Sequence, residues 1–403
     1  MNIRTESDKK ECLNESLDEN KEFSPVLNWD DYNIKEDLLR GIFAYGFDEP
    51  SQIQKTAISP IIEGYDIIAQ APSGTGKTGA FSIGALQRID VSVNTTQVLI
   101  LAPTHELVKQ ITSVITSLGN MLTGLRVKTL VGGTSVSEDA QELKYNTPHI
   151  IVGSVGRVND MVRRKNIQTK NIKLLVLDEA DEMLSGGFLE NIRQMFYSFN
   201  NNIQVAIFSA TLPNEIIELT HKFMRKPIKI TMEAEKLNLE GIQQYFVALN
   251  DDQGKYDTLK DLFGKLTINQ SIIYVNSVNR VIDLHEAMQK DGCPACCIHS
   301  SMTTEERHKA LSEFRAGIHR VLISSNVTAR GIDVQQVSIV INFDIPRDVN
   351  NYLHRIGRSG RWGRKGIAIN FITKEDVGTL RRIESHYKSN IVELPIDFES
   401  KLP

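Results

Sequence analysis

The sequence predicts an α/β protein with two tandem domains, each a parallel sheet flanked by helices. Three observations support this fold class. At 403 residues the chain is too long for one average domain. Short runs rich in Val, Ile and Leu alternate with helix-like stretches, as expected for buried parallel strands in βαβ units. The alternation is interrupted once, by the polar segment 231–242 near the middle of the chain.

Eight apolar runs mark the predicted strands. They are residues 98–101, 150–152, 174–177, 205–208, 272–275, 321–323, 339–341 and 367–369. Their spacing leaves room for a helix between most successive strands. The predicted organisation is a disordered acidic tail (1–22), a first domain (23–230), a linker (231–242) and a second domain (243–403).

Composition and charge limit the possible functions. The chain is 41% hydrophobic and 24% charged, and no stretch reaches the ~20 apolar residues of a membrane span. Four cysteines do not suggest a disulfide framework, so we expect an intracellular protein, cytoplasmic or nuclear. Residues 1–22 hold seven acids and four bases and so carry −3 of the total net charge of −4. The rest of the chain is close to neutral, so a polyanion such as nucleic acid would have to bind in a local basic groove.

A glycine-rich segment, residues 71–78, follows an apolar run and precedes a helix-like stretch. It matches the phosphate-binding pattern Gly-x-x-x-x-Gly-Lys-Thr when Ala71 replaces the first glycine. In such a loop backbone N–H groups bind phosphates, Lys77 reaches the β- and γ-phosphates, and the Thr78 hydroxyl binds Mg²⁺. The alternative is a plain glycine-rich turn. The predicted nucleotide-binding residues of the loop are Ala71, Ser73, Gly74, Thr75, Gly76, Lys77 and Thr78.

Acidic residues follow the predicted strand 174–177 directly. Ligands of α/β sheets bind at the carboxyl ends of the strands, where Asp178 would hold Mg²⁺. Glu179 would orient and deprotonate the attacking water. The alternative is an acidic first helical turn, which the helix dipole favours by itself. Together with the phosphate loop, these acids predict a nucleoside triphosphate hydrolase.

With these two motifs the chain resembles the DEAD-box RNA helicases, and within them the eukaryotic translation initiation factor four-A group. The second motif reads Asp-Glu-Ala-Asp at residues 178–181, and further matching segments are 38–47, 329–337 and 354–361. The resemblance extends from about Trp29 to Ile396. It implies tandem RecA-like domains, RNA-dependent ATP hydrolysis with ATP and Mg²⁺, and local unwinding of short RNA duplexes.

The resemblance also implies residue roles around the nucleotide. Phe47 would stack on adenine, although it could instead be a core aromatic residue. Gln54 would pair with the edge of the base, because a side-chain amide offers both a donor and an acceptor. In the second domain, Asp333 would contact the ribose and Trp362 would cover the adenine.

Two further sets of residues follow from the same resemblance. Arg358 and Arg361 would reach the γ-phosphate from the second domain, which makes hydrolysis depend on closure. The implied catalytic residues are Lys77, Asp178, Glu179, Arg358 and Arg361. The residues implied to couple hydrolysis to RNA are Asp181, Ser209, Thr211 and His354.

The motifs implied to bind RNA depart from the family pattern. The implied RNA-binding residues are Thr104, His105, Gly133, Ser154, Gly156, Arg157, Ser324 and Arg330. His105 stands where the family has an arginine, so a permanent cation is replaced by a side chain that is mostly neutral at pH 7. Ser154-Val155 replaces Thr-Pro. Our hypothesis is that the ATP chemistry is intact and that RNA is bound more weakly. The slope of log K for RNA binding against log salt concentration should then be shallower by about one unit per lost phosphate contact.

Two other functions remain as alternatives. An ATP-gated RNA clamp with slow turnover would use the same nucleotide site. A processive DNA helicase fits less well, because no accessory domain or DNA-reading motif is evident. The cluster Cys293, Cys296, Cys297 and His299 lacks the spacing of a zinc site. The resemblance suggests a monomer, a scaffold protein of translation initiation as partner, and no membrane association.

Overall fold

The computed structural model describes residues 23–71, 74–200, 202–232, 242–265, 270–325, 337–359 and 366–395. The chain divides into two compact units, Met1–Met232 and Glu233–Pro403. The predicted tail lies outside the described residues, as does most of the predicted linker.

The first unit contains a parallel seven-stranded sheet. Its strands are β1 (Ile67–Gln70), β2 (Val98–Ala102), β3 (Val127–Leu130), β4 (Ile150–Ser154), β5 (Leu174–Asp178), β6 (Gln204–Ser209) and β7 (Ile228–Thr231). Their order across the sheet is β3-β4-β2-β5-β6-β1-β7. The helices are α1 (Glu36–Ala44), α2 (Gln52–Glu63), α3 (Lys77–Arg88), α4 (His105–Leu118), α5 (Val136–Tyr145), α6 (Val155–Arg163), α7 (Ala180–Met183), α8 (Leu189–Phe196) and α9 (Asn214–Phe223).

The second unit repeats this architecture. Its strands are β8 (Ile242–Ala248), β9 (Ser271–Val275), β10 (Ala295–Ile298), β11 (Val321–Ser325), β12 (Ile339–Asn342), β13 (Gly366–Ile372) and β14 (Val392–Glu393). They are parallel, in the order β10-β11-β9-β12-β13-β8-β14. The helices are α10 (Asp252–Lys265), α11 (Val278–Lys290), α12 (Thr304–Arg315), α13 (Val349–Ile356) and α14 (Val377–Tyr387).

The apolar runs form these central strands because both faces of each sheet are covered by helices. Along β2, Val98 and Ile100 pack into one hydrophobic core, whereas Leu99 and Leu101 pack into another on the opposite face. A strand buried on both faces needs apolar residues throughout, which is why these runs were recognisable. All eight predicted strands are confirmed. Within the described residues, no helix is long and apolar enough to cross a lipid bilayer.

Candidate active site

Three loops meet at the carboxyl edge of the first sheet. Strands β5, β6 and β1 are neighbours, so the loops that follow them lie side by side. The register places Gln70 beside Ser209, and Asp178 beside Phe208. Ligands of open α/β sheets bind at this edge. The sheet therefore brings together the phosphate loop after β1, the acids after β5 and the Ser-Ala-Thr segment after β6.

The phosphate loop leads directly into α3. Gly76 precedes the first helical residue with φ +100°, in the left-handed region that favours glycine. A Cβ there would lie 2.5 Å from Ser51 Oγ, so the close approach also requires glycine. Lys77, the first residue of α3, is buried, and its Nζ donates to Ala71 O at 2.8 Å. The loop thus positions one buried cation at a helix N-terminus, where phosphate groups bind.

Two buried carboxylates lie next to this lysine. Glu179 Oε1 is 3.8 Å from Lys77 Nζ, and the Glu179 N–H donates to Asp178 Oδ1 at 3.0 Å. Glu179 has φ +50°, an uncommon value for a residue other than glycine and one associated with functional sites. Burial, and then the charge of Glu179, raises the pKa of Asp178 to about 7, although Lys77 opposes the shift. The site therefore holds more negative charge than Lys77 alone balances.

This donor set fits a hard divalent cation. Carboxylate and hydroxyl oxygens are the ligands that Mg²⁺ prefers, and it usually retains water and substrate phosphates as its other ligands. Asp178 supplies such a carboxylate, and Thr78 lies one residue after Lys77 on α3. A cation would also offset the mutual repulsion that raises the pKa of Asp178.

The last acid of the motif is hydrogen-bonded to the loop after β6. Asp181 Oδ2 accepts from the Thr211 hydroxyl at 2.8 Å and from the Thr211 N–H at 3.3 Å. The Asp181 N–H donates to Ser209 Oγ at 3.2 Å. Three of the four residues implied to couple hydrolysis to RNA are therefore linked, with Asp181 hydrogen-bonded to both Ser209 and Thr211.

Gln54 lies against the phosphate loop. Its Oε1 accepts from the Ser51 N–H at 2.7 Å, and its Nε2 donates to Gly76 O at 3.3 Å. Phe47 packs edge-on against Tyr45 at 4.9 Å and stacks at 6.3 Å on Trp29. Phe47 and Gln54 both lie within 3.0 Å of where a Cβ at Gly79 would be. The two predicted adenine residues therefore border α3, and each also has a structural role.

In the first unit, the residues predicted to bind RNA lie at the carboxyl ends of the neighbouring strands β2, β3 and β4. Thr104 caps α4 by accepting the Leu107 N–H at 3.2 Å, and His105 follows it. The His105 ring lies beside Gly132, where an added Cβ would be 3.4 Å from Nε2. Gly133 has φ +82°. Ser154 precedes α6, and the Cα of Gly156, in its first turn, faces open space.

Arg157 is held by an intramolecular ion pair. Its Nη1 donates to Asp139 Oδ2 and, at 2.8 Å, to Thr134 Oγ1, and its Nη2 donates to Thr134 O at 2.7 Å. The side chains of Arg157 and Asp139 are only 8% and 7% exposed. Lys128 Nζ lies 3.3 Å from the other Asp139 oxygen. Sequence reasoning missed Asp139, because a pairing across two helices leaves no local pattern.

In the second unit, the predicted site residues that the structure describes lie at the carboxyl end of β11 and on or after α13. Buried Ser324 donates from Oγ to Ser325 O at 3.1 Å. His354 is on α13, and Arg358 follows the helix, with its Nε donating to His354 O at 3.1 Å. Five predicted residues lie outside the described residues: Ser73, Arg330, Asp333, Arg361 and Trp362.

Arg355, in the same segment as these residues, has a structural role that the sequence did not indicate. It is fully buried, and its guanidinium donates to Asn342 Oδ1 at 3.1 Å, Asp344 O at 2.7 Å and Asn276 Oδ1 at 2.8 Å. It also lies over the Tyr274 ring, 5.3 Å from the centroid. Burial lowers the pKa of Arg355 to about 10. This arginine joins the ends of β9 and β12 to α13.

Comparisons with known proteins agree with the geometry. The DEAD/DEAH box helicase family matches residues 51–219, and the helicase conserved C-terminal domain matches residues 254–363. The chain is 49% identical over 377 residues to the ATP-dependent RNA helicase eIF4A of Saccharomyces cerevisiae (strain YJM789), covering 94% of this chain and 95% of that one. It is 48% identical over 384 residues to the ATP-dependent RNA helicase fal1 of Schizosaccharomyces pombe (strain 972), covering 95% and 97%.

A solved structure gives the same result. The chain is similar to S. cerevisiae Dbp5 bound to RNA and ADP BeF3, with a TM-score of 0.84 and 32% identity over 91% of this chain and 95% of that one. The two parallel sheets thus have the tandem RecA-like architecture. From the matched families and the length of the similarity, the chain belongs to the DEAD-box helicases and is an ATP-dependent RNA helicase, an RNA-dependent ATPase.

Proposed function

We propose that the carboxyl edge of the first sheet is the hydrolytic centre, and that Lys77, Asp178 and Glu179 carry the chemistry. The observation that carries this proposal is the placement of two buried carboxylates beside one buried lysine, with Glu179 in the left-handed region. Lys77 binds the phosphates and Glu179 orients and deprotonates the attacking water. Thr78 and Asp178 hold Mg²⁺, which supplies charge stabilisation when bound.

The nucleotide is ATP, and the base is recognised next to α3. We propose that Gln54 pairs with the adenine edge through its remaining amide hydrogen and lone pair, while its other two contacts fix its orientation. Phe47 stacks on the ring. In the second domain Asp333 contacts the ribose and Trp362 covers the base. Each carboxamide end can make a second hydrogen bond, so its contacts in the protein leave this role available.

Hydrolysis depends on RNA because cations from the second domain complete the site. Arg358 and Arg361 stabilise the charge on the γ-phosphate when RNA favours closure of the two domains. Asp181, Ser209, Thr211 and His354 transmit the state of the nucleotide to the RNA side. The hydrogen bonds from Thr211 to Asp181 support this role.

The RNA backbone is bound by residues at or beyond the carboxyl ends of β2, β3, β4 and β11. In the order of the chain they are Thr104, His105, Gly133, Ser154, Gly156, Arg157, Ser324 and Arg330. Contacts to phosphates and 2′-hydroxyls carry shape and no sequence, so the protein separates short duplexes or displaces bound protein by distorting one strand. The similarity to a relative named eIF4A supports a role in translation initiation. We further propose that the protein acts as a cytoplasmic monomer with a scaffold protein as partner.

A second candidate is an ATP-gated RNA clamp with slow turnover. The altered RNA-binding motifs favour inefficient strand separation, because Asp139 already neutralises the charge of Arg157 and fewer contacts remain to distort a strand. His105, in place of an arginine, points in the same direction.

Single-turnover unwinding of a short RNA duplex separates the two candidates. With ATP the helicase releases the strand rapidly, and with a non-hydrolysable analogue it releases strands at most once per binding event. The Glu179→Gln variant, which keeps the size of the side chain, is the matched control and should lower ATP turnover by about 10²–10⁴-fold. Tight ATP-dependent RNA binding with no strand release would favour the clamp. Full turnover by Glu179→Gln would contradict the assigned chemistry.

A further inference from the structure

A basic cavity lies at the amino edge of the first sheet, opposite the hydrolytic centre. It encloses about 410 Å³ between the segments that lead into β2, β5 and β6. Its polar lining includes Arg88, Lys170, Lys173, Gln97, Asn200 and Asn202. No acidic residue occurs among the lining residues that the structure describes. The cavity is thus lined by cations and amides, and none of the site residues assigned above lies in it.

The cations of this cavity are only partly satisfied. Lys173 Nζ donates to Gln97 Oε1 at 3.1 Å, and Arg88 Nη1 donates to two carbonyl oxygens of α2 at 3.3 Å each. Arg88 Nε is buried and has no partner among the described atoms. The Asp90 carboxylate lies near Lys173 and offsets part of its charge, although it also accepts the Ser92 N–H and hydroxyl at 2.9 and 2.6 Å. Lys170 and Lys173 are exposed, so an anion can reach the cavity from solvent.

The acidic segment of this chain enters the first unit beside the cavity. The Phe23 ring packs edge-on against Tyr65, with 5.2 Å between centroids. Tyr65 follows Gly64, where an added Cβ would be 2.9 Å from Arg88 Nη1. Phe23, the residue that follows the acidic segment in the chain, therefore lies close to the arginine that lines the cavity.

The charge of the segment complements the cavity. Residues 11–22 contain a single base, Lys21, and five acids. The acids are Glu11, Glu15, Asp18, Glu19 and Glu22. Leu13 and Leu17 in the same segment can cover apolar parts of the lining such as Val93, which is 43% exposed.

We propose that residues 11–22 bind in this cavity, with their carboxylates paired to Lys170, Lys173 and Arg88. Single exposed ion pairs are weak. Attachment at Phe23, however, gives the segment an effective concentration on the order of millimolar, so several weak pairs are enough. The contact weakens with salt, because exposed charges are screened.

Lysine acetylation of the 403-residue chain, read by mass spectrometry, tests the contact. Lys170 and Lys173 should react about three- to tenfold faster in Glu15→Gln/Asp18→Asn/Glu19→Gln/Glu22→Gln than in the wild type, as expected for a few weak pairs. Lys144, an exposed residue of α5, should react equally in both proteins. Equal rates at Lys170 and Lys173 would overturn the proposal. Protection that appears only on addition of single-stranded RNA would assign the cavity to nucleic acid instead.

A charge swap provides the second test. Zero-length carbodiimide cross-links should join the segment to Lys170 or Lys173 in the wild type and be lost in Lys170→Glu/Lys173→Glu. Adding Asp18→Lys/Glu19→Lys should restore the cross-links, now between lysines of the segment and glutamates of the cavity. A variant that had merely lost its structure would not recover them. Lys144→Glu is the matched control and should leave the cross-links unchanged. Cross-links distributed equally over Lys144 and the cavity lysines, or no recovery in the swapped variant, would refute the contact.

Discussion

The Thr211 hydroxyl donates a hydrogen bond of 2.8 Å to Asp181 Oδ2, and so links the loop after β6 to the acidic motif after β5. Asp181 is buried, and Thr211 donates to the same oxygen through its backbone N–H as well. A carboxylate that accepts two such donors is fixed in orientation. Movement of one loop therefore has to be followed by the other, which is what coupling between ATP and RNA requires.

Thr211→Val should uncouple the two activities. Valine keeps the branched shape and removes only the hydroxyl, so ATP hydrolysis should stay within a few fold of wild type, whereas duplex unwinding should fall by about tenfold, the value of one charge-assisted hydrogen bond. ATPase and single-turnover unwinding assays on the same preparation measure the two effects. Thr211→Ser, which restores the hydroxyl, should recover unwinding. An equal loss of both activities in Thr211→Val would argue against coupling.

Asp178→Asn should stabilise the protein free of nucleotide and metal while abolishing hydrolysis. The pKa of Asp178 is raised to about 7, so the folded state holds a proton that the unfolded state releases near pH 4. This carboxyl group therefore costs stability increasingly as the pH rises from about 4 to 7. At pH 8 the variant should be more stable by about 1–4 kcal/mol, and the gain should shrink towards pH 4.

Denaturant unfolding at pH 5 and pH 8 measures this difference. Asp160→Asn serves as the control, because Asp160 lies on α6 in a pair with Arg164 whose side chain is 57% exposed. It should show no comparable gain. An Asp178→Asn gain that is the same at both pH values would mean that ionisation of Asp178 is not its cause.

Gln54→Glu should weaken ATP binding and reduce the preference for ATP over GTP. The substitution replaces the amide that donates to Gly76 O by an oxygen that repels it, and removes a donor for the adenine. We expect KM for ATP to rise by about tenfold, the equivalent of one buried hydrogen bond. ATPase assays with ATP and GTP measure the ratio. Gln52→Glu, on the exposed face of the same helix, should leave both values unchanged. If the preference for ATP over GTP is unchanged in Gln54→Glu, Gln54 does not recognise the base.

His105→Arg should strengthen RNA binding and make it more sensitive to salt. The variant places a permanent cation at the start of α4, next to the Gly132-Gly133 turn. One added phosphate contact should steepen the slope of log K against log salt concentration by about one unit. Fluorescence anisotropy with a labelled single-stranded RNA over a salt series measures it. His221→Arg adds the same charge on α9 and should leave the slope unchanged. If both variants behave alike, the effect is a general one of charge.

Arg355→Met should destabilise the second unit more than Arg358→Met. Loss of the Arg355 guanidinium leaves three oxygen atoms without their buried donor, at a cost on the order of 3–5 kcal/mol of unfolding free energy. Arg358 is also buried and donates from Nε to one such oxygen, His354 O, so Arg358→Met should cost less, about 1–2 kcal/mol, and remove ATP hydrolysis. Denaturant unfolding and ATPase assays on both variants separate the two roles. Similar losses of stability in the two variants would mean that Arg358, like Arg355, has mainly a structural role.

The eight predicted strands all lie in the interior of the two sheets, and they include neither the edge strands β3, β7, β10 and β14 nor β1 and β8 next to them. Strands β2, β4, β5 and β6 are apolar throughout because helices cover both of their faces. β3 at the edge includes Lys128 and Thr129, and its first three residues are half-buried, so no apolar run marks it. The motif residues of the candidate site could be predicted because each motif is a short segment of characteristic residue types that directly follows a parallel strand. Asp139 and Arg355 act through partners distant in the chain, and no spacing rule identifies them.

The sequence by itself determined the fold class and the family and predicted the nucleotide site, because each depends on short segments whose backbone geometry and chemistry are local. Only the tertiary structure decided how their side chains are paired. It showed that Arg157 is neutralised by Asp139, that Gln54 also supports the phosphate loop, and that Asp181 is tied to Thr211. It also placed a basic cavity beside the point where the acidic segment enters. Pairing energies depend on distance and burial across the fold, and a linear sequence specifies neither.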